Sequence, residues 1–289
     1  MKKFLSMLLI GAMTVSMCIG CSSEKEEKKK GVTSLNGEEL PADVKEIVED
    51  GVLKVGVKNN VKGFGFQDTL TQKYSGLEVE LGKMIADELG IDVEYTTVTA
   101  ATRSELLDSG ELHCVLATFT ITDERRESWD FTTPYYTDAV TVLVEDAKGI
   151  KSLEDIKGKT VGVSSGSTSA RALVAAMVEQ GLLSGDGFNP ETFDAATWRD
   201  GVSFRQYDDY PAISTALGAH EVDAFCVDKS ILSIYKTEGR SFIEDKFAPQ
   251  EYGIATTKDS GISKVCEDLV TKWLEDGTIE ELISSNGIE

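Results

Sequence analysis

Histidine is almost missing from this chain, with only His113 and His220 among 289 residues. Neither stands in a clustered Cys/His spacing, which argues against a transition-metal site. Positive charge is scarce as well: 29 Lys and Arg face 50 Asp and Glu, a net of −21. A surface of that sign repels phosphate backbones and anionic bilayers, so no nucleic acid partner is expected, nor a membrane held by general electrostatics. Cysteine is limited to five positions. No disulfide scaffold is needed, because roughly 240 folded residues can bury adequate cores without one. Long apolar runs are confined to residues 4–19, short for a membrane span.

That run follows Lys2 and Lys3 and ends in Ile-Gly before Cys21, the layout of a secretory leader (1–20) cut ahead of a cysteine. Cys21 is then expected to begin the mature chain and to carry lipid, palmitate included, with the charged stretch 24–30 as part of a tether. One acyl chain holds a protein only marginally, so firm attachment to the cell membrane implies several. Without Lys2 and Lys3 the mature chain has 27 basic residues and a net charge of −23, so anchorage has to come from the lipid. Cys18 leaves with the leader, and Cys114, Cys226 and Cys266 remain, an odd number that cannot all pair. Cys114 and Cys226 sit in apolar strands and are expected as buried, inert thiols.

One unit occurs twice. Leu107-Asp-Ser-Gly-Glu-Leu-His-Cys-Val-Leu-Ala has a counterpart in Leu217-Gly-Ala-His-Glu-Val-Asp-Ala-Phe-Cys-Val, each reading as a helix end, a tight turn and a buried strand. In open α/β sheets ligands sit beyond the carboxyl ends of strands, so the copies should deliver Thr118 to Thr120 and Asp228 to a shared crevice. The flanking segments fit two α/β lobes. A strand starts at Leu53, and Leu81, Met84, Ile85 and Leu89 mark one face of a helix closed by Gly90. A strand follows over 93–98, and Thr102 with Glu105 forms a capping box for the next helix. Further strands are expected at 139–145 and 160–163, and helices near 152–155, at 170–180 and at 262–274. The polar, glycine-rich stretch 181–209 reads as an insertion, and Phe66 as a core residue. Two chain crossings, near 139–145 and 251–257, would make a hinge on which the lobes close.

The most informative stretch is Thr118-Phe-Thr-Ile-Thr-Asp-Glu-Arg-Arg-Glu-Ser-Trp-Asp-Phe-Thr-Thr-Pro-Tyr-Tyr136. It puts hydroxyls at the end of an apolar strand over 113–119. Arg125 falls in the first turn of a short helix, where an acid is favoured and a cation wants an anionic partner. The string resembles the T-I-T-x-E-R…F-x-x-P-Y-Y signature of the extracytoplasmic amino-acid-binding proteins of ABC-type importers, solute-binding family 3. Thr118, Phe119 and Thr120 occupy its G-x-T positions, and the resemblance runs from Leu53 to the C-terminus.

That resemblance implies a type II periplasmic-binding-protein fold: two Rossmann-like lobes joined by a two-strand hinge. It divides the chain into a lipidated tether and linker (21–49), a first part of lobe 1 (50–141), lobe 2 (142–250), and a return strand with the end of lobe 1 (251–289). It implies an amino acid as ligand, an ABC permease and its ATPase subunit as partners, action as a monomer, an extracytoplasmic place, no catalysis and no cofactor. By the same resemblance Arg125 takes the α-carboxylate, with donors from Thr120 and the Ser167-Thr168 loop. Asp228, with the Thr118 carbonyl and the Thr120 hydroxyl, takes the α-ammonium. Phe64 would lie against the ligand side chain. Lys58 and Arg103 resemble the basic pair of relatives that take glutamate or aspartate, whereas Tyr210 near the same place suits a neutral polar group.

Two other readings compete. Gly162-Val-Ser-Ser-Gly166 matches the G-x-S-x-G nucleophile elbow of serine esterases, with Ser164 as nucleophile and His220 as the one histidine that follows it. A lipoprotein that senses the same ligand and signals to a membrane receptor would need identical binding chemistry.

Overall fold

The computed structural model describes residues 31–288. The leader, Cys21 and its lipidation lie outside the described residues. Two sheets organise the rest. The first runs in the order Asp92–Thr97, Val52–Val57, Cys114–Leu116, Ala255–Thr257, Trp129–Phe131. Val52–Val57 pairs in parallel with both neighbours, and Ala255–Thr257 pairs antiparallel with its two. The second runs Ser203–Tyr207, Thr160–Ser164, Ala224–Asp228, Tyr136–Glu145, Arg240–Phe242. Parallel pairs need long crossovers, and the helices Leu77–Glu88, Arg103–Asp108, Ser169–Glu179 and Tyr210–Gly218 supply them. The duplicated units become the edges Asp108 to Cys114 and Gly218 to Ala224, each a helix end feeding a fully buried strand.

The hinge is a pair of antiparallel strands, Tyr136–Glu145 and Phe247–Tyr252, in register Tyr136 to Tyr252 with an irregularity between Ala139 and Val140. The chain then returns through Gly253 to the first sheet, and Gly261–Glu275 packs there through Ile262, Val265, Leu269 and Trp273. The lobes are closed on one another. Gly166 of the second lobe lies so near the first that a Cβ there would stand 2.6 Å from the Ala100 carbonyl oxygen, and its φ is +72°.

Several local expectations change. Thr102 makes no side-chain cap bond. The cap is one turn earlier, where the Thr99 hydroxyl accepts from the Thr102 amide at 3.2 Å and the Arg103 amide already bonds the Thr99 carbonyl. The supposed linker is folded from Gly31 onward: a two-strand ribbon, Ser34–Leu35 with Glu38–Glu39, precedes helix Ala42–Asp50. Asp43 of that helix accepts the Gly261 and Ile262 amides and so caps helix Gly261–Glu275. The insertion is shorter than expected, because Ser203–Tyr207 is an edge strand of the second sheet. Its remainder is pinned by a ring cluster of Phe188, Phe193, Trp198 and Phe204 with centroids 5.6 to 6.2 Å apart. Phe66 is exposed rather than core, since its strand, Gly65–Gln67, belongs to a small outlying sheet. Cys114, Cys226 and Cys266 are buried and free. The Cys114 thiol is pushed up by its contact with Cys266 and by burial.

Candidate ligand-binding site

The strand Cys114–Leu116 delivers Thr118 in a left-handed conformation, φ +44°, which strains a β-branched residue by about 1 to 3 kcal/mol. Two buried side chains hold it there. Glu78 accepts the Thr118 amide at 2.5 Å and the Tyr135 hydroxyl at 2.6 Å. Arg103 donates through one terminal nitrogen to the Ala117 and Thr118 carbonyls at 2.8 and 3.1 Å. The Arg103 guanidinium lies 3.8 Å from the Phe119 ring centroid, and that of Arg125 lies 4.7 Å from it.

Arg125 is placed by the short helix Asp123–Ser128, where the Thr122 side chain caps its amide at 3.1 Å. Its guanidinium bridges the lobes, donating to Thr120 O at 2.7 Å and to Gly166 O at 3.1 Å. Burial, and then the Arg103 charge, push its pKa down to about 9, so it stays cationic at neutral pH. Lys58 follows directly on Val52–Val57, is 2 % exposed, and lies 5.3 Å over the Tyr210 ring of the second lobe. Burial first, and then Arg103, hold its ammonium well below the ordinary lysine range.

The second lobe contributes Tyr210, the first residue of a helix capped by Asp209, and Asp228, at the end of Ala224–Asp228. Asp228 occupies the N-cap position of the turn Lys229–Leu232 but makes no cap bond. Asp138 of the hinge serves that turn instead, through the Ser230 amide and hydroxyl. Asp228 instead accepts the Tyr252 hydroxyl, and burial raises its pKa to about 7 against the pull of that bond and of Arg103 and Arg125 from the first lobe. The Tyr210 side chain approaches the Thr118 hydroxyl, which completes no hydrogen bond.

Two expected roles change. The hydroxyls of Thr120 and Thr168 both donate to Gln250 Oε1, at 2.9 and 2.7 Å, and Thr168 makes no side-chain cap bond for helix Ser169–Glu179. Phe64 is buried edge-on against the hinge rings of Tyr136 and Tyr252, 5.1 and 5.8 Å away. Through Tyr252 it backs Asp228.

The layer therefore joins Lys58, Arg103, Thr118, Thr120, Arg125, Thr168, Tyr210 and Asp228, with Phe64 behind them. Sequence reasoning missed Glu78, Tyr135, Gln250 and Tyr252. Glu78 had a signal, since it falls at helical spacing with the buried Leu81, Gly82 and Ile85. Of five buried polar side-chain atoms without a hydrogen bond among the described residues, Glu78 Oε2, Arg103 Nε and Thr118 Oγ1 belong to this one cluster. Buried polar groups normally find partners, so that concentration marks a place built to contact something else. Cavities of about 260 and 230 Å³ open on its two flanks, the first beside Arg125, Thr168 and Arg171, the second beside Lys58, Thr99 and Tyr210. A roomier hollow of about 680 Å³ beside Val32, Lys45 and Val48 holds none of these residues.

The esterase reading does not survive this geometry. Thr160–Ser164 and Ala224–Asp228 run in parallel, with Ser164 at the carboxyl end of one and His220 before the amino end of the other. Ser164 is 3 % exposed, and His220 is turned to Glu145 at 2.9 Å.

Comparison with known proteins gives the same picture. The pattern of the bacterial extracellular solute-binding proteins, family 3, matches residues 53–285. The chain is 27% identical over 267 residues to a glutamine-binding protein of Geobacillus stearothermophilus, covering 90% of this chain and 94% of that one. It is 30% identical over 280 residues to the L-cystine-binding protein TcyJ of Escherichia coli K12, covering 95% and 92%. Among solved structures, an ancestral arginine-binding protein bound to arginine superposes with a TM-score of 0.67 at 29% identity, over 82% of this chain and 98% of that one. All three are binding proteins rather than enzymes, and two closed α/β lobes on a two-strand hinge are the fold expected of such a receptor. The chain belongs to the bacterial extracellular solute-binding proteins of family 3.

Proposed function

We propose that this protein captures an acidic L-amino acid, glutamate or aspartate, outside the cell and presents it to the permease of an ABC importer. Amino-acid capture for an ABC transporter is what its family supports. The relatives take chemically different side chains, so preference has to be argued from this chain's own residues. The observation that carries it is the charge of the layer: Lys58, Arg103 and Arg125 stand against Glu78 and Asp228. A zwitterion adds no net charge. An acidic side chain adds one negative charge that supports the Lys58 ammonium against its burial, whereas a cationic one adds to the crowding of cations in a place where unpaired charge is costly.

In this reading Arg125 meets the α-carboxylate with a planar fork and Asp228 meets the α-ammonium. Lys58, Arg103 and Tyr210 face the side chain, the Thr118 carbonyl joins Asp228 at the α-ammonium, and Phe64 backs that end through Tyr252. Residues 50–141 and 251–288 form one jaw, 142–250 the other, and a monomer tethered by lipid at Cys21 offers the closed form to the permease. Energy for uptake comes from the partner ATPase.

Calorimetry against L-glutamate, L-aspartate, L-glutamine, L-cystine and L-arginine tests the preference. An acidic ligand should bind at least tenfold more tightly than the other three, and Lys58→Met should narrow that margin. Tighter binding of arginine or glutamine sinks the acidic reading. For the anchor, Cys21→Ser should abolish palmitate labelling and release the protein from the membrane fraction.

A further inference from the structure

Gln250 lies on the hinge strand, is 4 % exposed, and accepts the hydroxyl protons of Thr120 from one lobe and Thr168 from the other. Its own orientation is fixed from behind: Nε2 donates to the carbonyls of Ala248 and Pro249 at 3.0 and 3.2 Å. Carbonyl oxygens only accept, so the amide nitrogen must face them and Oε1 must face the two threonines. A hydroxyl has one proton and two lone pairs. With both protons spent on Oε1, each threonine presents only lone pairs to anything else in the cleft.

We infer that Gln250 is a positioning residue for the ligand: it sets both hydroxyls as acceptors and thereby fixes which end of the amino acid they receive. This rests on the reading that Thr120 and Thr168 face the ligand. An ammonium has three donors and no lone pair, so it suits such acceptors, whereas a carboxylate placed against them meets repulsion. The α-carboxylate is left to Arg125 and to backbone amides, because the Thr168 hydroxyl is withdrawn from its donors. Removing Gln250 frees both hydroxyls to donate, and the site loses its sense of polarity rather than simply its affinity.

The test compares the tightest amino acid of the panel above with the same acid lacking its α-ammonium, L-glutamate with glutarate or L-aspartate with succinate. Calorimetry is run on wild type, Gln250→Leu, Thr120→Val/Thr168→Val and the triple variant. Gln250→Leu should narrow the preference for the amino acid over its deamino counterpart by tenfold or more. The triple variant should be no less selective than Thr120→Val/Thr168→Val, because Gln250 acts through those hydroxyls. An unchanged preference in Gln250→Leu, equal weakening of both ligands as a merely structural role would give, or factors that multiply in the triple variant overturn the inference. Should Gln250→Leu fold poorly, Gln250→Met keeps the length and takes its place. Arg125→Ala and Asp228→Asn are run alongside: if neither weakens binding, the site reading itself has failed, and if both do while Gln250→Leu leaves the preference intact, only the role of Gln250 has.

Discussion

Ligand binding should release a proton, and Asp228 should be its source. In the closed protein the carboxyl titrates at about 7, because burial outweighs the Tyr252 hydrogen bond and the nearby arginines. An α-ammonium against it favours the ionised form and pulls that value down. Affinity therefore weakens as pH falls through 7, where binding must first expel the proton, and levels off above about pH 8. With a bound-state value below 5, binding at pH 6 should be about tenfold weaker than at pH 8, close to 1.4 kcal/mol. About 0.9 proton should be released at pH 6, readable as the dependence of calorimetric heat on the buffer's ionisation enthalpy. Asp228→Asn should abolish both the pH slope and the release between pH 6 and 8. Proton uptake, or a slope that survives the substitution, refutes the assignment of Asp228 to the ammonium. The same shift makes a second, ligand-free statement. The folded value lies above the unfolded value near 3.9, so the folded protein binds more protons between about 4 and 7, and stability falls as pH rises through that window. Asp228→Asn should remove that fall, leaving a variant that binds poorly but melts higher than wild type at pH 7.5.

Arg125→Ala should cost about 3 to 5 kcal/mol of ligand binding by calorimetry, since a buried carboxylate loses its partner. It should also loosen closure, because the contact from Arg125 to Gly166 O goes with it. Gly166→Ala places a Cβ 2.6 Å from the Ala100 carbonyl of the opposite lobe at φ +72°. Small-angle scattering should find this variant more expanded with ligand present than wild type, with affinity reduced at least tenfold. Unchanged compaction would show that the lobes meet elsewhere.

Residues that act through their immediate sequence neighbourhood were legible. The apolar strand ending at Thr118, the helical turn that carries Arg125, and the duplicate unit that ends at Asp228 follow from local periodicity and turn chemistry. Ser203–Tyr207 falls in the stretch that reads as an insertion because this edge strand carries exposed polar residues on both faces, Arg205 and Gln206. Helix Ala42–Asp50 reads as linker because part of what its amphipathic face meets, the helix Gly261–Glu275, lies more than two hundred residues on. Pairings of that reach decide the site as well. Thr118 is held by Glu78 from 40 positions away, and Thr120 gives its proton to Gln250 from 130 positions away. Periodicity says that such residues are buried but not what they meet, because the partner is chosen by the return of the chain across the hinge. The second crossing strand therefore does more than let the lobes move. By placing Gln250 and Tyr252 behind the threonines and Asp228, it sets the proton arrangement of both jaws from one segment. Any motion that opens the cleft by sliding a jaw off that strand must also break the bonds that give the site its polarity.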